Sequence, residues 1–282
     1  MHNIKKMIID FNKIYVIESL PADEIQTGTN LHNDIINRRL WNHEKIESEL
    51  CIINSKEEFY NLLNKIERQT LNSEVIPYLH FEIHGNPDGL FLNSAEQINW
   101  YEIRLKLIKI NTYSKNKLWI SLASCHGAYL YINYSLVARA PFYGYIGSWK
   151  TINVEDLSAS FERYFEKLLE DFNIEEAVEA LNLYNPNLPV EYKLFNSRDV
   201  FIKAYNQYEA NTYTEEGIQI RINRIAELSF NDPKNKIKKI PKAFFKNHAK
   251  RELLKNKENY RKDFYEHFLM IDLYPEIRDR FE

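Results

Sequence analysis

The segment Tyr78–Leu90, YLHFEIHGNPDGL, decides the fold because it holds the end of an apolar strand and a tight turn. Its first residues continue an apolar run that begins at Val75 and predicts a buried strand over 75–84. The turn Asn86–Gly89 ends the run, and the following GLFL is predicted to form a hairpin arm. The chain has only 7 glycines. One of them, Gly85, directly follows His84 at the end of this strand.

Strands and helices alternate on both sides of this segment. The capping box Ser55–Glu58 opens a helix whose apolar positions lie on one face. Near-continuous apolar strands separated by helices predict a mainly parallel sheet covered by helices on both faces. The other predicted strands are 13–20, 49–54, 118–124 and 142–149, and the other predicted helices are 29–39, 100–110 and 128–138.

The chain becomes mainly helical after Trp149. Amphipathic patterns predict helices over 154–172, 174–183, 199–208 and 215–228, with one further strand over 192–195. The tripeptide Asn231-Asp-Pro233 marks a boundary. We therefore predict one α/β domain over residues 1–230, followed by a basic helical C-terminal extension over 231–282.

The extension contains a strongly basic segment. Between Lys234 and Lys257 there are ten Lys and Arg residues and one acid, although the whole chain has a net charge of −3. This pattern is more typical of a solvated helix face than of a site for an anionic partner, so nucleic acid is not an expected partner.

Composition and segment lengths indicate a soluble protein. Hydrophobic residues make up 44% of the 282 residues, enough for a substantial core. No apolar run reaches the roughly 20 residues that a membrane-spanning helix needs, and the first residues do not resemble a secretory signal. Cys51 and Cys125 are too few for a disulfide framework. We expect a cytoplasmic protein with free thiols and no membrane partner.

Two chemically active side chains follow neighbouring predicted strands. His84 ends the third strand and Cys125 ends the fourth, and loops at the carboxyl ends of parallel strands converge on one edge of the sheet. A thiol beside an imidazole, with a helix predicted to begin after Cys125, forms a nucleophile more readily. The Gly85 and Cys125 N–H groups would then form an oxyanion hole, which explains the glycine.

The motifs HFEIHG and LASCHG resemble the caspase-like clan of cysteine peptidases. In that clan a His-Gly pair follows one strand, a Cys follows the next, and a glycine, here Gly127, lies two residues after the Cys. His80, the turn GNPDGLFL and the segment YGYIGSWKTINVEDLSASFERYFEKLL resemble the bacterial CHAT branch more closely. The resemblance covers approximately Lys13–Leu183.

The resemblance implies a caspase-like three-layer sandwich and a cysteine endopeptidase. It implies catalytic roles for His84 and Cys125, oxyanion stabilisation by Gly85 and Cys125, and no cofactor. The implied partners are a protein substrate and an activating protein, and the implied setting is bacterial stress or antiviral defence. Ala123 stands where caspases have a glutamine and His126 where an arginine is common, so a preference for cutting after aspartate does not carry over.

Two alternatives remain open at the level of sequence. His80, Glu82 and His84 share one strand face and, with His126, are suitable ligands for zinc in a metal-dependent hydrolase. Their spacing of roughly 6 to 7 Å along a strand is awkward for a tetrahedral ion, so His80 is predicted to be a packed histidine that supports the site. The other alternative is a non-catalytic interaction module that binds through the C-terminal helices and the basic segment. Cys51 is predicted to be a buried structural residue.

Overall fold

The computed structural model describes residues 9–41, 43–131, 135–183, 192–231 and 240–282. The strands are β1 (Lys13–Ser19), β2 (Glu47–Ile52), β3 (Pro77–Asn86), β4 (Gly89–Phe91), β5 (Gln97–Asn99), β6 (Trp119–Ala123), β7 (Gly144–Ser148) and β8 (Tyr192–Asn196). They form a sheet with the order β2-β1-β3-β6-β7-β8, and β4 and β5 extend it beside the end of β3. Neighbouring strands from β2 to β7 run parallel, and β8 is antiparallel to β7.

Helices cover both faces of this sheet and continue into the C-terminal part. The first helical stretch consists of α1 (Thr27–Asn30), a π-helical turn (Leu31–Ile36) and α2 (Asn37–Leu40). Short 3₁₀ segments span Gly127–Tyr131 and Pro275–Arg280. The other helices are α3 (Lys56–Asn72), α4 (Trp100–Tyr113), α5 (Val154–Asp171), α6 (Ile174–Leu183), α7 (Ser197–Thr212), α8 (Glu215–Asn231), α9 (Lys242–Lys255) and α10 (Lys257–Phe268).

Alternating side chains of β3 show how the three layers are built. His80 lies 4.9 Å from the Phe161 ring of α5, measured between ring centroids, on one face of the sheet. Phe81 contacts Phe59 of α3 on the opposite face. The segments α1, α2, α5 and α6 form one outer layer, and α3 and α4 form the other. The chain is therefore an α/β three-layer sandwich with a mostly parallel sheet, as its strand and helix pattern predicted.

The ends of the elements agree with the sequence signals in most places. Ser55 caps α3, because its Oγ accepts a hydrogen bond from the Glu58 N–H. The predicted hairpin arm is β4, and it pairs antiparallel with β3 around Gly89. Hydrophobic patterning and capping residues predicted the positions of these elements, because both signals depend on only a few neighbouring residues.

The helix predicted over 128–138 is wrong within the described residues. The 3₁₀ segment Gly127–Tyr131 replaces its first part, and irregular turns occupy the chain from Ser135 to Ala138. Residues 132–134 lie outside the described residues. Contacts with the C-terminal part hold the end of this region, since the Ala140 N–H donates to the Phe268 carbonyl oxygen at 2.9 Å. Such long-range contacts override the local apolar pattern.

The end of the chain packs into the main core. Phe268, Met270 and Phe281 are buried together with core residues of the sheet. The Asn116 side chain donates from Nδ2 to the Leu269 carbonyl oxygen at 3.0 Å, which anchors this part of the extension. The division of the chain at residue 230 stays a prediction.

The described part of the basic segment is mainly helical. Residues 234–239 lie outside the described residues, and Lys242–Lys255 forms α9. In the described part of the chain, no helix combines the length and the apolar character needed to cross a bilayer.

Candidate active site

His84 and Cys125 line one cavity of about 320 Å³ at the carboxyl edge of the sheet. The other lining residues come from the loop after β1, the end of β3, the end of β6 and the start of α5. These segments meet because β1, β3 and β6 are adjacent and parallel, so the loops that follow them leave the sheet at the same edge. The structure therefore brings the two predicted residues to one site.

The Cys125 thiol lies half-buried against the loop that precedes α5. The Ile152 N–H donates to Sγ at 3.4 Å, and the Ile152 carbonyl oxygen lies 3.8 Å from Sγ. The positive end of the N–H dipole therefore points at the sulfur atom. Among the described residues, a 3₁₀ segment stands in place of the helix predicted to begin after Cys125, and the N–H group that contacts the sulfur comes from Ile152. Sequence reasoning missed this contact because any residue type supplies a backbone N–H.

The imidazole of His84 is held by an acid from the loop after β1. Its Nε2 lies 2.7 Å from Oε2 of Glu24, and the two side chains are 51% and 42% exposed. Because a carboxylate accepts, Nε2 donates this hydrogen bond, which leaves Nδ1 to exchange a proton with a reacting group. No sequence pattern had singled out Glu24, which lies in an irregular loop far from His84 along the chain.

Gly85 touches the loop that carries the thiol. A Cβ atom at this position would lie 2.2 Å from Ser124 Oγ and 2.5 Å from the Cys125 carbonyl oxygen. Real Cβ atoms do not approach other atoms this closely, so only glycine allows the end of β3 to lie against Ser124 and Cys125. The close approach also brings the two predicted oxyanion donors into adjacent segments.

The β3–β4 hairpin determines where the Gly85 N–H points. Asn86 and Gly89 pair across a two-residue turn, and such a closing pair is hydrogen-bonded, so the next pair, Gly85 with Leu90, is not. The Gly85 N–H therefore points away from β4. Since β4 leads to Asn93, whose N–H donates to Ser19 Oγ of β1, the Gly85 N–H faces the opposite side, where Cys125 lies. The Cys125 N–H donates to no backbone acceptor among the described residues.

A buried acid at the end of β1 fixes the start of the first helical stretch. Glu18 is fully buried, and its Oε1 accepts hydrogen bonds from the Gly28 N–H at 2.7 Å and the Thr29 N–H at 3.1 Å. The Thr29 hydroxyl donates to Oε2. These bonds satisfy N–H groups that the start of a helix leaves unpaired, and they tether the end of the loop that carries Glu24.

His80 and Glu82 form a second buried polar group beside the cavity. His80 Nε2 donates to Glu82 Oε1 at 2.9 Å, and His80 Nδ1 lies 2.7 Å from Ser121 Oγ. The other Glu82 oxygen accepts from the Thr27 hydroxyl at 2.8 Å. His80 is fully buried and packs against Phe161, so it is the packed histidine that the sequence predicted.

The four residues of the metal alternative do not converge. His80 contacts Ser121 and Glu82, whereas His84 contacts Glu24. His126 turns to Thr151, whose Oγ1 lies 3.3 Å from its Nε2. Within the described ranges, no group of three or more His, Cys, Asp or Glu side chains has the geometry to hold a metal ion.

Cys51 is buried, whereas Cys125 is partly exposed. Cys51 is 8% exposed within β2, and burial, reinforced by the negative charge of Glu49, raises the pKa of its thiol to about 12. Cys51 is the buried structural residue that the sequence predicted.

No protein-family model matches this chain, and no curated protein is significantly similar to it in sequence. The caspase-like resemblance therefore stays a prediction that rests on the motifs at the ends of β3 and β6.

Proposed function

We propose that the protein is a caspase-like cysteine endopeptidase that cuts a partner protein, with His84 and Cys125 as the catalytic pair. The observation that carries the proposal is the single cavity lined by both side chains, with the Gly85 and Cys125 segments in close contact beside it. The proposal requires no cofactor. The resemblance adds a role in bacterial stress or antiviral defence and an activating protein partner.

In the acylation step, Cys125 Sγ attacks the carbonyl carbon of the scissile peptide bond. The thiol proton moves to His84, and the carbonyl oxygen takes up negative charge and accepts hydrogen bonds from the Gly85 and Cys125 N–H groups. When the carbonyl reforms, the C–N bond breaks and His84 gives its proton to the leaving amine. Glu24 holds the imidazole in the orientation that this exchange requires.

In the deacylation step, a water molecule attacks the thioester carbon. His84 accepts one proton of the water, the same N–H groups stabilise the oxyanion, and the C–S bond breaks. The thiolate regains a proton from His84, and the second product leaves as a carboxylic acid. One water molecule is consumed for each peptide bond that is cut.

The test is labelling with limiting iodoacetamide, followed by intact-mass measurement and peptide mapping. We expect Cys125 to react below pH 8 in the wild type and to lose most of that reactivity in His84→Ala, because the imidazole accepts the thiol proton. Cys51 serves as an internal control in the same molecule, and Cys125→Ala controls for assignment of the label.

The catalytic pair would be contradicted if iodoacetamide did not label Cys125, or if the labelling rate of Cys125 were the same in the wild type and in His84→Ala. The chain would then be better described as a non-catalytic interaction module.

A further inference from the structure

The cavity that contains His84 and Cys125 is acidic. Three of its lining side chains are Asp23, Glu24 and Glu82, and no Lys or Arg from the described part of the chain lines it. Glu24 is engaged with His84, whereas Asp23 forms no hydrogen bond or ion pair with any described residue. A cavity of this sign favours a cationic group and disfavours an anionic one.

Glu82 is the most deeply buried of these acids. Its side chain is 2% exposed, and each carboxylate oxygen accepts one hydrogen bond, from His80 and from Thr27. A carboxylate oxygen has two lone-pair directions, so each oxygen can accept a further bond. The residue beside Glu82 in the β3–β6 register is Ala123, whose small side chain also lines the cavity and leaves room next to the acid.

A buried hydroxyl beside these residues has no partner. Tyr192 is 4% exposed, and its hydroxyl makes no hydrogen bond with the described residues. Its ring lies 5.3 Å from that of Phe161, measured between centroids, and Phe161 in turn packs against His80, the hydrogen-bond partner of Glu82. Burial and then the charge of Glu82 raise the pKa of the hydroxyl. A buried hydroxyl without a partner is costly, and an N–H donor of a ligand would satisfy it.

The rest of the cavity suits a long aliphatic chain. Leu20, Ile25, Val154 and Leu157 contribute apolar surface, and the cavity volume of about 320 Å³ exceeds that of one amino-acid side chain. Lysine and arginine bury a flexible hydrocarbon stem along apolar surface and place their charge at the end. A lysine or arginine side chain would therefore complement both the apolar and the acidic residues that line the cavity.

We propose that this cavity binds the lysine or arginine side chain that precedes the cut, with Asp23 and Glu82 as its acidic contacts and Tyr192 as a further hydrogen-bond acceptor. The proposal rests on the proposed function, because it assigns the residue before the bond that Cys125 attacks. It names the class of substrate that the enzyme cuts: a protein segment with a basic residue at the cleavage point.

The experiment uses four peptidyl chloromethyl ketones with one common peptide, ending in lysine, arginine, norleucine or aspartate. The thiolate displaces chloride, and intact mass gives the rate of labelling at Cys125. Norleucine has nearly the length of lysine without its charge, so the lysine-to-norleucine rate ratio measures recognition of the charge. We expect a ratio of about tenfold or more, equivalent to about 1.4 kcal/mol, and the slowest labelling with aspartate.

Variants locate the recognition within the cavity. We expect a lower lysine-to-norleucine ratio in each of three variants: Asp23→Asn, Glu82→Gln and Tyr192→Phe. Because both probes react with the same thiol, a change in thiol reactivity alone would leave this ratio unchanged. Asp34→Asn removes the same charge from an exposed acid of the π-helical turn and should leave the ratio unchanged. Asp23 is exposed, so its variant should fold even if the buried Glu82→Gln does not.

The outcomes separate the two proposals. If iodoacetamide labels Cys125 in a His84-dependent manner but lysine and norleucine probes react equally, the basic subsite is wrong and the peptidase proposal stands. A faster aspartate probe would also overturn the subsite. If iodoacetamide labelling does not depend on His84, the peptidase proposal fails and the subsite fails with it.

Discussion

The two cysteines belong to the same parallel sheet, yet their surroundings are opposite. Cys51 lies inside the edge strand β2, where burial and then the charge of Glu49 raise the pKa of its thiol. Cys125 follows the central strand β6, lines a cavity with His84 and receives a hydrogen bond from the Ile152 N–H. Residue type alone therefore indicates little about function in this chain.

The difference comes from where each cysteine leaves the sheet. Only after the last residue of a central strand do loops from the neighbouring strands converge on a side chain. The two histidines of β3 show the same contrast, since His80 is enclosed with both ring nitrogens paired to neighbouring side chains and His84 reaches the cavity. A position at the strand end turns a packing residue into a candidate for catalysis.

Removing either member of the proposed pair gives the largest expected effect. We expect Cys125→Ala and His84→Ala to lower cleavage of a genuine protein substrate by about 10³-fold or more, because the two groups act as a unit. Cys51→Ala is the matched control and should retain activity, since its thiol is enclosed in β2. Measured turnover of the three variants checks this, and equal losses in Cys51→Ala and Cys125→Ala would erase the distinction between the two thiols.

Gly85→Ala is expected to have the next largest effect, a loss of about 10²-fold in Cys125-dependent cleavage. Its Cβ would collide with Ser124 Oγ and the Cys125 carbonyl oxygen, which would push the thiol loop away from the end of β3. The cleavage rate at saturating substrate is the measurement.

Gly217→Ala is a matched steric control, because its Cβ would lie 2.2 Å from the Asn211 carbonyl oxygen in the C-terminal part, away from the cavity. It should lower thermal stability without lowering the labelling rate of Cys125. If both glycine variants reduced Cys125 labelling equally, the effect would be one of general stability and Gly85 would have no special role.

Sequence patterns predicted the sheet and the pair of strand-end residues because these depend on local periodicity. The period-two alternation in β3 and the turn after Asn86 are properties of consecutive residues, and so is the position of Cys125 after an apolar strand. The coarse α/β architecture followed from the same signals, and the structure confirmed it.

The contacts that complete the site could not be predicted in this way. Glu24 reaches His84 from an irregular loop, and Ile152 acts through a backbone N–H, so neither leaves a pattern in the sequence. One sequence signal did point to such contacts: Glu18, like Glu82, is an acid inside an otherwise apolar strand, and a buried acid requires partners. The helix predicted over 128–138 was wrong for a similar reason. Contacts with the distant C-terminal part, and not the local apolar pattern, determine the conformation of this region.

Glu24→Gln tests the orienting contact and should have a smaller effect, a loss of about tenfold in the Cys125 labelling rate. The amide keeps the size of the side chain but removes the charge that holds the imidazole, and Glu24→Asp should restore part of the rate. Glu44→Gln, an exposed acid before β2, controls for the lost charge. A Glu24→Gln variant that reacts at the wild-type rate would show that the 2.7 Å contact does not orient His84.

Cys51 gives the smallest expected effect, a pH dependence of stability. Its pKa is raised to about 12 by burial, whereas an unfolded cysteine titrates near about 8.5. Above the lower value the unfolded chain loses its thiol proton and the folded chain keeps it, so folding stability should fall as pH rises, by up to about 1.4 kcal/mol per pH unit. Denaturant unfolding of wild type and Cys51→Val between pH 7.5 and about 10 measures the difference in stability, which should vanish at the low end of this pH range and grow at the high end.

Iodoacetamide should reach Cys51 only in the unfolded chain. Labelling of Cys51 in the folded protein at pH 8, or parallel stability curves for the two proteins, would mean that β2 does not enclose this thiol.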